Sequence, residues 1–399
     1  MRQVKLLVLM SAVLIGGMAF SGFDCASTEI TSAKLYIQQK NLPKALDALQ
    51  KEVTKNPKSD EGYYLMGVIQ GEQDKYEDMV SSFDKSIAIS KKFEKQITDT
   101  KRSYWANNFN KGVMSFSAAS KTQNADSSKM FFEKSIAAFK TATMLEPDSA
   151  EAYKNMAYGL ISIQKEDEAI APLEKVISLK KSSDAYRFLG SILYNKGLAS
   201  MSKYNTSKKV EDSTEAMAIY SKAITLLEGG RKVYPSDEQI LSELSNVYIA
   251  SNKLDVAADA FKAGIAANPK NKGYRYNYGV VLLGASKYAE AIEQFEKAIE
   301  IDPNYQNAIY NLAISHVKWG VTISKEIDDK KLDINSAEYK EKDAQVKKEF
   351  NTAIPLLEKV VSIKGDDANV WENLGKIYAV MGMKEKADDA FAKADKLKK

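Results

Sequence analysis

Few residues in this chain are of the types that carry out chemistry. The 399 residues include one histidine, His316, and one cysteine, Cys25. A structural or catalytic zinc centre needs three or four Cys, His or carboxylate ligands, and no Cys/His cluster is present. A Ser or Cys nucleophile needs a positioned base beside it. No Gly-x-Ser-x-Gly elbow occurs, and no glycine loop of the kind that cradles phosphate; "GVVLLG" (279–284) only places two glycines in an apolar run. Carboxylates are plentiful, as in "EIDDKK" (326–331) and "EKADD" (385–389). They lie at helical spacing beside lysines, the pattern of a solvated, ion-paired helix face rather than of an acid–base couple. The sequence therefore points away from an enzyme and implies no cofactor and no metal. A cell-wall glycan enzyme working through unmarked carboxylates is the weakest alternative.

Cys25 has a different context. Arg2 and Lys5 precede an uncharged, mostly apolar run from Leu6 to Phe20, too short to span a bilayer comfortably. Ala19, Phe20 and Ser21 make a small-x-small cleavage site, so residues 1–24 are expected to be an export signal. Cys25 then becomes a candidate lipid anchor at the start of the mature chain. Its flanks depart from a bacterial lipobox: Asp24 replaces the small residue before the cysteine, and Gly22 the aliphatic residue three before it. The expected location is exported, in the periplasm or at the outer membrane, with the membrane reached only through the signal segment or this anchor.

The elements that position everything else repeat. A small residue is followed twelve positions later by a second small residue, and four later again by a large apolar one. The triplets are Ala33/Ala45/Leu49, Ala157/Ala169/Leu173, Ser245/Ala257/Phe261, Gly279/Ala291/Phe295 and Gly375/Ala387/Phe391; Gly67/Met79/Phe83 departs at Met79. Small residues at these positions let two antiparallel helices approach closely, and the large residue is expected to fill space between neighbouring pairs. Pro57, Pro147, Pro235, Pro269 and Pro303 punctuate the units eight residues later. Capping sequences follow, as in "PDSAE" (147–151) and "PSDEQ" (235–239).

Three further units fit once the connection between helices A and B is lengthened: Gly112 with Ser135 and Phe139, Gly190 with Ala223 and Leu227, and Ala313 with Ala353 and Leu357. The polar insertions (117–130, 199–217 and 323–350) are expected to be solvated loop tips and longer helix ends. The spacer 90–103 either extends the second B helix or leads into the third A helix. His316 lies three after Ala313, where other units have Tyr36, Leu160, Leu193, Tyr248, Leu282 or Tyr378, and is expected to be a packing residue.

This pattern resembles the tetratricopeptide repeat family, a helix–turn–helix motif of about 34 residues. Trp371, Leu374, Gly375 and Tyr378 reproduce its W-x-x-L-G-x-x-Y signature. The resemblance implies an all-α, right-handed superhelical solenoid of about nine stacked helix–turn–helix units over residues 26–399, three of them with lengthened A–B connections. The units would be 26–59, 60–104, 105–149, 150–182, 183–237, 238–271, 272–305, 306–367 and 368–399.

The family also implies a concave surface lined by A helices that binds peptides or partner proteins. The A-helix positions opposite the packing residues are Tyr64, Lys154, Tyr158, Arg187, Tyr194, Asn195, Asn246, Tyr276, Tyr310 and Lys318. Tyrosine, arginine and asparagine together are typical contact chemistry. The family's carboxylate clamp, a lysine and an asparagine one turn apart, is not matched: Tyr158 follows Lys154, and Ser242 precedes Asn246. Asn155, Asn277, Asn311 and Asn373, each two before the small residue, fit the repeat consensus. With 57 basic and 53 acidic residues interleaved, nucleic acid is not an expected partner. The expected function is a non-catalytic protein-interaction scaffold of the bacterial cell envelope. The alternative is an assembly factor that self-associates through its edges or terminal repeats.

Overall fold

The computed structural model describes residues 27–363 and 365–398. The signal segment and Cys25 lie outside the described residues. Among the described residues there are eighteen α-helices and no strand. In chain order they are α1 (Thr28–Gln38), α2 (Leu42–Lys55), α3 (Asp60–Glu72), α4 (Tyr76–Ile89), α5 (Glu94–Lys121), α6 (Ala125–Leu145), α7 (Ala150–Ser162), α8 (Glu166–Lys180) and α9 (Ser183–Ser207). The second half continues with α10 (Val210–Val233), α11 (Glu238–Ala250), α12 (Leu254–Ala267), α13 (Lys272–Gly284), α14 (Tyr288–Ile301), α15 (Gln306–Asp329), α16 (Ala337–Ile363), α17 (Ala368–Val380) and α18 (Lys384–Leu397). The fold is an all-α helical-repeat solenoid. The spacer 90–103 leads into α5, so the third pair begins ahead of the expected boundary at 104/105.

The small and large residues of each triplet meet inside one hairpin. A Cβ on Gly279 would lie 2.7 Å from the Phe295 ring, one on Gly375 2.7 Å from Phe391, and one on Gly190 2.5 Å from Leu227. The large residue thus packs on the bare backbone of its own A helix, and it also reaches the neighbouring pair, as where Phe261 of α12 meets Tyr274 of α13 edge-on at 6.4 Å. Phe295 and Phe261 are fully buried. The third register is equally well defined. Ser135 Oγ donates to the Gly112 carbonyl at 2.8 Å, and a Cβ on Gly112 would meet Phe139 at 2.8 Å.

The six short hairpins turn at the seventh residue after the small one. Lys40, Asp74, Gln164, Asn252 and Ser286 there have φ between 54° and 61°, and Gly382 has φ 74°. This left-handed conformation is strained for residues with a Cβ. In the hairpins α9/α10 and α15/α16 the corresponding residues, Gly197 and Gly320, are helical, and both helices run on. The small–large contact recurs two turns further along: a Cβ on Gly197 would lie 2.3 Å from Tyr220, and one on Gly320 2.7 Å from Phe350. The insertions are thus mainly helix, leaving tips only at 122–124, 208–209 and 330–336. Buried Asp212 holds one tip by accepting from Ser207 Oγ at 2.6 Å and pairing with Lys203 at 2.6 Å.

Helix starts follow local chemistry. Asp237 caps α11 by accepting from Gln239 and Ile240 N–H at 3.0 and 3.1 Å, and Asn271 caps α13 in the same way. Ser149 occupies the N-cap position of α7, but its side chain makes no capping bond there.

The chain forms two compact units. One holds residues 27–110 and Thr141–Pro147; the other holds Lys111–Lys140 and 148–398. In the first, Met79, Phe83, Ile97 and Leu145 form one core and Ile30, Ala33, Leu49 and Ile69 another. In the second, each even-numbered helix from α8 onward packs on its own partner and on the next odd-numbered helix. The odd-numbered helices α9, α11, α13 and α15 also touch one another in sequence. They form a continuous row, and that row positions the candidate site. None of the described helices is long and apolar enough to cross a membrane.

Candidate functional site

The row of odd-numbered helices carries most of the residues singled out from sequence. On α7, Lys154 pairs with Glu151 at 2.5 Å, and Lys180 reaches the same carboxylate at 2.9 Å. The two lysines hold the Glu151 carboxyl below its ordinary range. A cavity of about 240 Å³ opens here, lined by these groups with Ser182, Asp184 and Tyr234. Tyr158 donates to Asp184 Oδ2 at 3.3 Å and meets the Phe188 ring edge-on at 5.1 Å. Burial first, and the Asp184 charge second, push the Tyr158 hydroxyl up to about 12.

Arg187 donates to Asp184 Oδ1 at 3.1 Å and lies over the Phe188 ring at 4.4 Å. Tyr194 tilts against Tyr220 at 6.5 Å, and burial followed by the charge of Glu243 raises its hydroxyl. Glu243, on α11, is partly buried and makes no hydrogen bond or ion pair among the described residues. Burial holds its carboxyl above the usual range, and the Arg187 charge only opposes this. Asn195 is exposed and Asn246 partly buried.

Further along, Tyr276 packs against Phe295 at 5.9 Å and Tyr305 at 5.1 Å. Its hydroxyl accepts from Asn311 Nδ2 at 3.0 Å, a bond from α15 back to α13. The same link follows one hairpin on, where Asn373 Nδ2 of α17 donates to the Tyr310 hydroxyl of α15 at 3.5 Å. Burial raises both tyrosine hydroxyls. Asn277 is spent internally, donating to the Gly273 carbonyl at 2.8 Å and accepting from Ser245 Oγ at 3.1 Å. Asn155 likewise donates to the Glu151 carbonyl at 2.8 Å. Among the described residues each Tyr–Asn pair keeps the hydroxyl proton, the second amide N–H and the amide oxygen without a partner, so both donors and an acceptor remain for a peptide group.

Two of the sequence candidates fall outside this grouping. Tyr64 belongs to the other unit, where it stacks on Phe93 at 4.4 Å with the planes 4° apart. Lys318 is exposed, and its charge reaches Tyr288 on the even-numbered α14. His316 is more than a packing residue: its Nδ1 lies 2.6 Å from Glu349 Oε2, with side chains 12% and 5% exposed. It joins the two helices of the longest hairpin. Among the described residues no three His, Cys, Asp or Glu side chains converge as metal ligands.

Asp184, Phe188, Glu243, Asn311 and Asn373 are residues of the candidate site that reasoning from sequence did not select for it. One signal was available. Glu243 stands two before Ser245, where four other units have asparagine.

Comparison with known proteins finds tetratricopeptide repeats in the C-terminal half of the chain. One tetratricopeptide-repeat family model matches residues 242–305 and a second matches residues 368–399. The peroxisomal targeting signal receptor of Candida albicans is 23% identical over 185 residues, 46% of this chain and 29% of the receptor. That of Kluyveromyces lactis is 25% identical over 201 residues, 46% of this chain and 35% of the receptor. The chain thus spans about a third of the length of these curated relatives. Among solved structures, a crystal structure of MamA is 19% identical and covers 48% of this chain and 95% of its own, with a TM-score of 0.33. The triplet contacts, the hairpin row and the two matched segments show that this chain carries tetratricopeptide repeats.

Proposed function

We propose that the chain is a non-catalytic interaction scaffold that holds an extended segment of a partner protein along its odd-numbered helices. The observation that carries this reading is the repeated Tyr–Asn link, Tyr276 with Asn311 and Tyr310 with Asn373. Each link offers donors and an acceptor at successive hairpins, so an extended backbone is held without a demand on its side chains. The curated relatives are named as receptors of a targeting signal, which supports a peptide or protein ligand.

The test is selection of a phage-displayed random peptide library on the immobilised full chain, beside the Tyr276→Ala/Tyr310→Ala double variant. Peptides enriched on the first and not on the second support the reading. Equal enrichment on both, or none on either, contradicts it.

The place of action in this proposal is the bacterial cell envelope, reached through the export signal of residues 1–24, with Cys25 as the candidate anchor. Mass spectrometry of the mature N-terminus tests this part separately. An intact Met1 in cells refutes export, and an unmodified N-terminal residue near Gly22 refutes the anchor.

A second reading, self-association, draws on the long hairpins. Val210 and Ile334 at their tips are 70% and 63% exposed, and exposed apolar residues mark interaction surfaces only when they are contiguous. Light scattering on the mature chain decides this, and a clean monomer removes it.

A further inference from the structure

We infer that the cavity walled by the start of α7, the end of α8 and the start of α9 receives an acidic side chain, aspartate or glutamate, of the bound segment, held by Lys154 and Lys180. This rests on the peptide-binding reading above and adds to it the chemistry of one ligand position.

The cavity holds about 240 Å³, and the oxygens of both carboxylates that line it are already engaged. Glu151 turns one oxygen to Lys154 at 2.5 Å and the other to Lys180 at 2.9 Å. Asp184 accepts from Arg187 at Oδ1, 3.1 Å away, and from the Tyr158 hydroxyl at Oδ2, 3.3 Å away. Two hydroxyls on the wall are spent as well: Tyr234 donates to the Lys181 carbonyl, and Ser183 Oγ donates to Asp237.

What remains free is mainly donors. An ammonium has three N–H groups, and each lysine turns only one towards Glu151. Their side chains are 27% and 64% exposed, so both ammonium groups stay within reach of a ligand. Ser182 stands at the N-cap position of α9 without making a capping bond, so no side chain takes up the first amides of that helix. The charge count points the same way. Two lysines face one glutamate, while Arg187 and Asp184 cancel, which leaves a single positive charge over.

An ionised carboxylate only accepts and carries one negative charge, so it meets both conditions. It gains charge-assisted hydrogen bonds from the two ammonium groups, and the start of α9 favours its charge. A basic ligand residue at this point meets like charge and is rejected. The arrangement is distinct from the family's carboxylate clamp, because its second lysine comes from the end of α8 and no asparagine lines the cavity. The cavity therefore sets specificity at one residue, whereas the Tyr–Asn links on α13, α15 and α17 read backbone alone.

The experiment uses peptides recovered from the random library on the full chain. Display joins each peptide to the phage coat through its C-terminus, so a carboxylate recovered this way is a side chain. Selected peptides are expected to share an aspartate or glutamate at one fixed position. Replacing that residue by its amide should weaken binding to the unaltered protein about tenfold or more in fluorescence anisotropy. The Lys154→Gln/Lys180→Gln double variant should weaken the parent peptide by a similar factor, and variant and amide peptide together should cost little more than either alone. A melting curve for the double variant checks its fold, and the peptide-side substitution needs no protein variant. Tight peptides without a shared acidic residue, or additive losses, overturn this inference and leave the scaffold reading standing. Absence of any enriched peptide overturns both.

Discussion

The Asn311 amide of one hairpin donates to the Tyr276 hydroxyl of the hairpin before it at 3.0 Å, and Asn373 repeats the contact with Tyr310. These bonds fix the row of odd-numbered helices and leave unused hydrogen-bonding capacity on the same side chains. If that capacity grips a peptide backbone, Tyr276→Phe should lower peptide affinity while changing stability by only about 1 kcal/mol, the worth of one exchanged hydrogen bond. Anisotropy with a library-selected peptide and a urea melt measure the two effects separately.

Packing makes a sharper demand at Gly279. Phe295 stands 2.7 Å from where a Cβ would be, and its ring is fully buried. Gly279→Trp should overpack this contact and cost well over ~1 kcal/mol. Gly229, on α10, has only Tyr186 at 3.8 Å, an ordinary contact. Gly229→Ala should instead stabilise by about 0.5–1 kcal/mol, because alanine is the better helix former. Thermal melts of the two variants should therefore move in opposite directions.

The unpaired carboxylate of Glu243 gives a pH signature. Its folded-state carboxyl is raised by burial, so the folded state binds that proton more tightly than the unfolded state. In acid both states are protonated and no penalty exists. The penalty grows as pH rises through the ordinary carboxylate range and past the raised folded value. Glu243→Gln should accordingly be more stable than the parent at neutral pH, with the difference vanishing in acid. Urea melts at several pH values measure it.

The His316–Glu349 pair predicts a mutational asymmetry. Both side chains are nearly buried, 2.6 Å apart, so His316→Ala leaves a buried carboxylate without its partner. That should cost about 3 kcal/mol, and replacing both residues with apolar ones of similar volume should recover most of it. Because repeat arrays open locally, hydrogen exchange in α15 and α16 reports this better than a single global melt.

Much of this architecture was legible in the residues. The spacing of Gly279, Ala291 and Phe295 fixes a hairpin because a helix surface offers only one close approach for a bare backbone. Other features were not legible because they depend on where neighbours lie in space. Gly197/Tyr220 and Gly320/Phe350 continue the zipper seven residues along each helix, a step of two turns. Read for that step, the insertions would have shown themselves as helix. Tyr64 shares the repeat position of Tyr276 and Tyr310, yet Phe93, contributed by the irregular spacer, covers its ring. Repeat position alone cannot report such a contact. Glu243 shows the converse: its departure from the asparagine pattern was plain, but its partial burial on α11 depends on how that helix packs in space.

The most direct test of the scaffold reading is photo-crosslinking from Val280, which lies on α13 one turn after Tyr276. A benzophenone amino acid placed there, in the full chain with a library-selected peptide bound, should crosslink to that peptide in mass spectrometry. Excess unlabelled peptide should suppress the product. Crosslinking from positions on the even-numbered helices, such as Glu296 on α14, with none from Val280, would contradict the account.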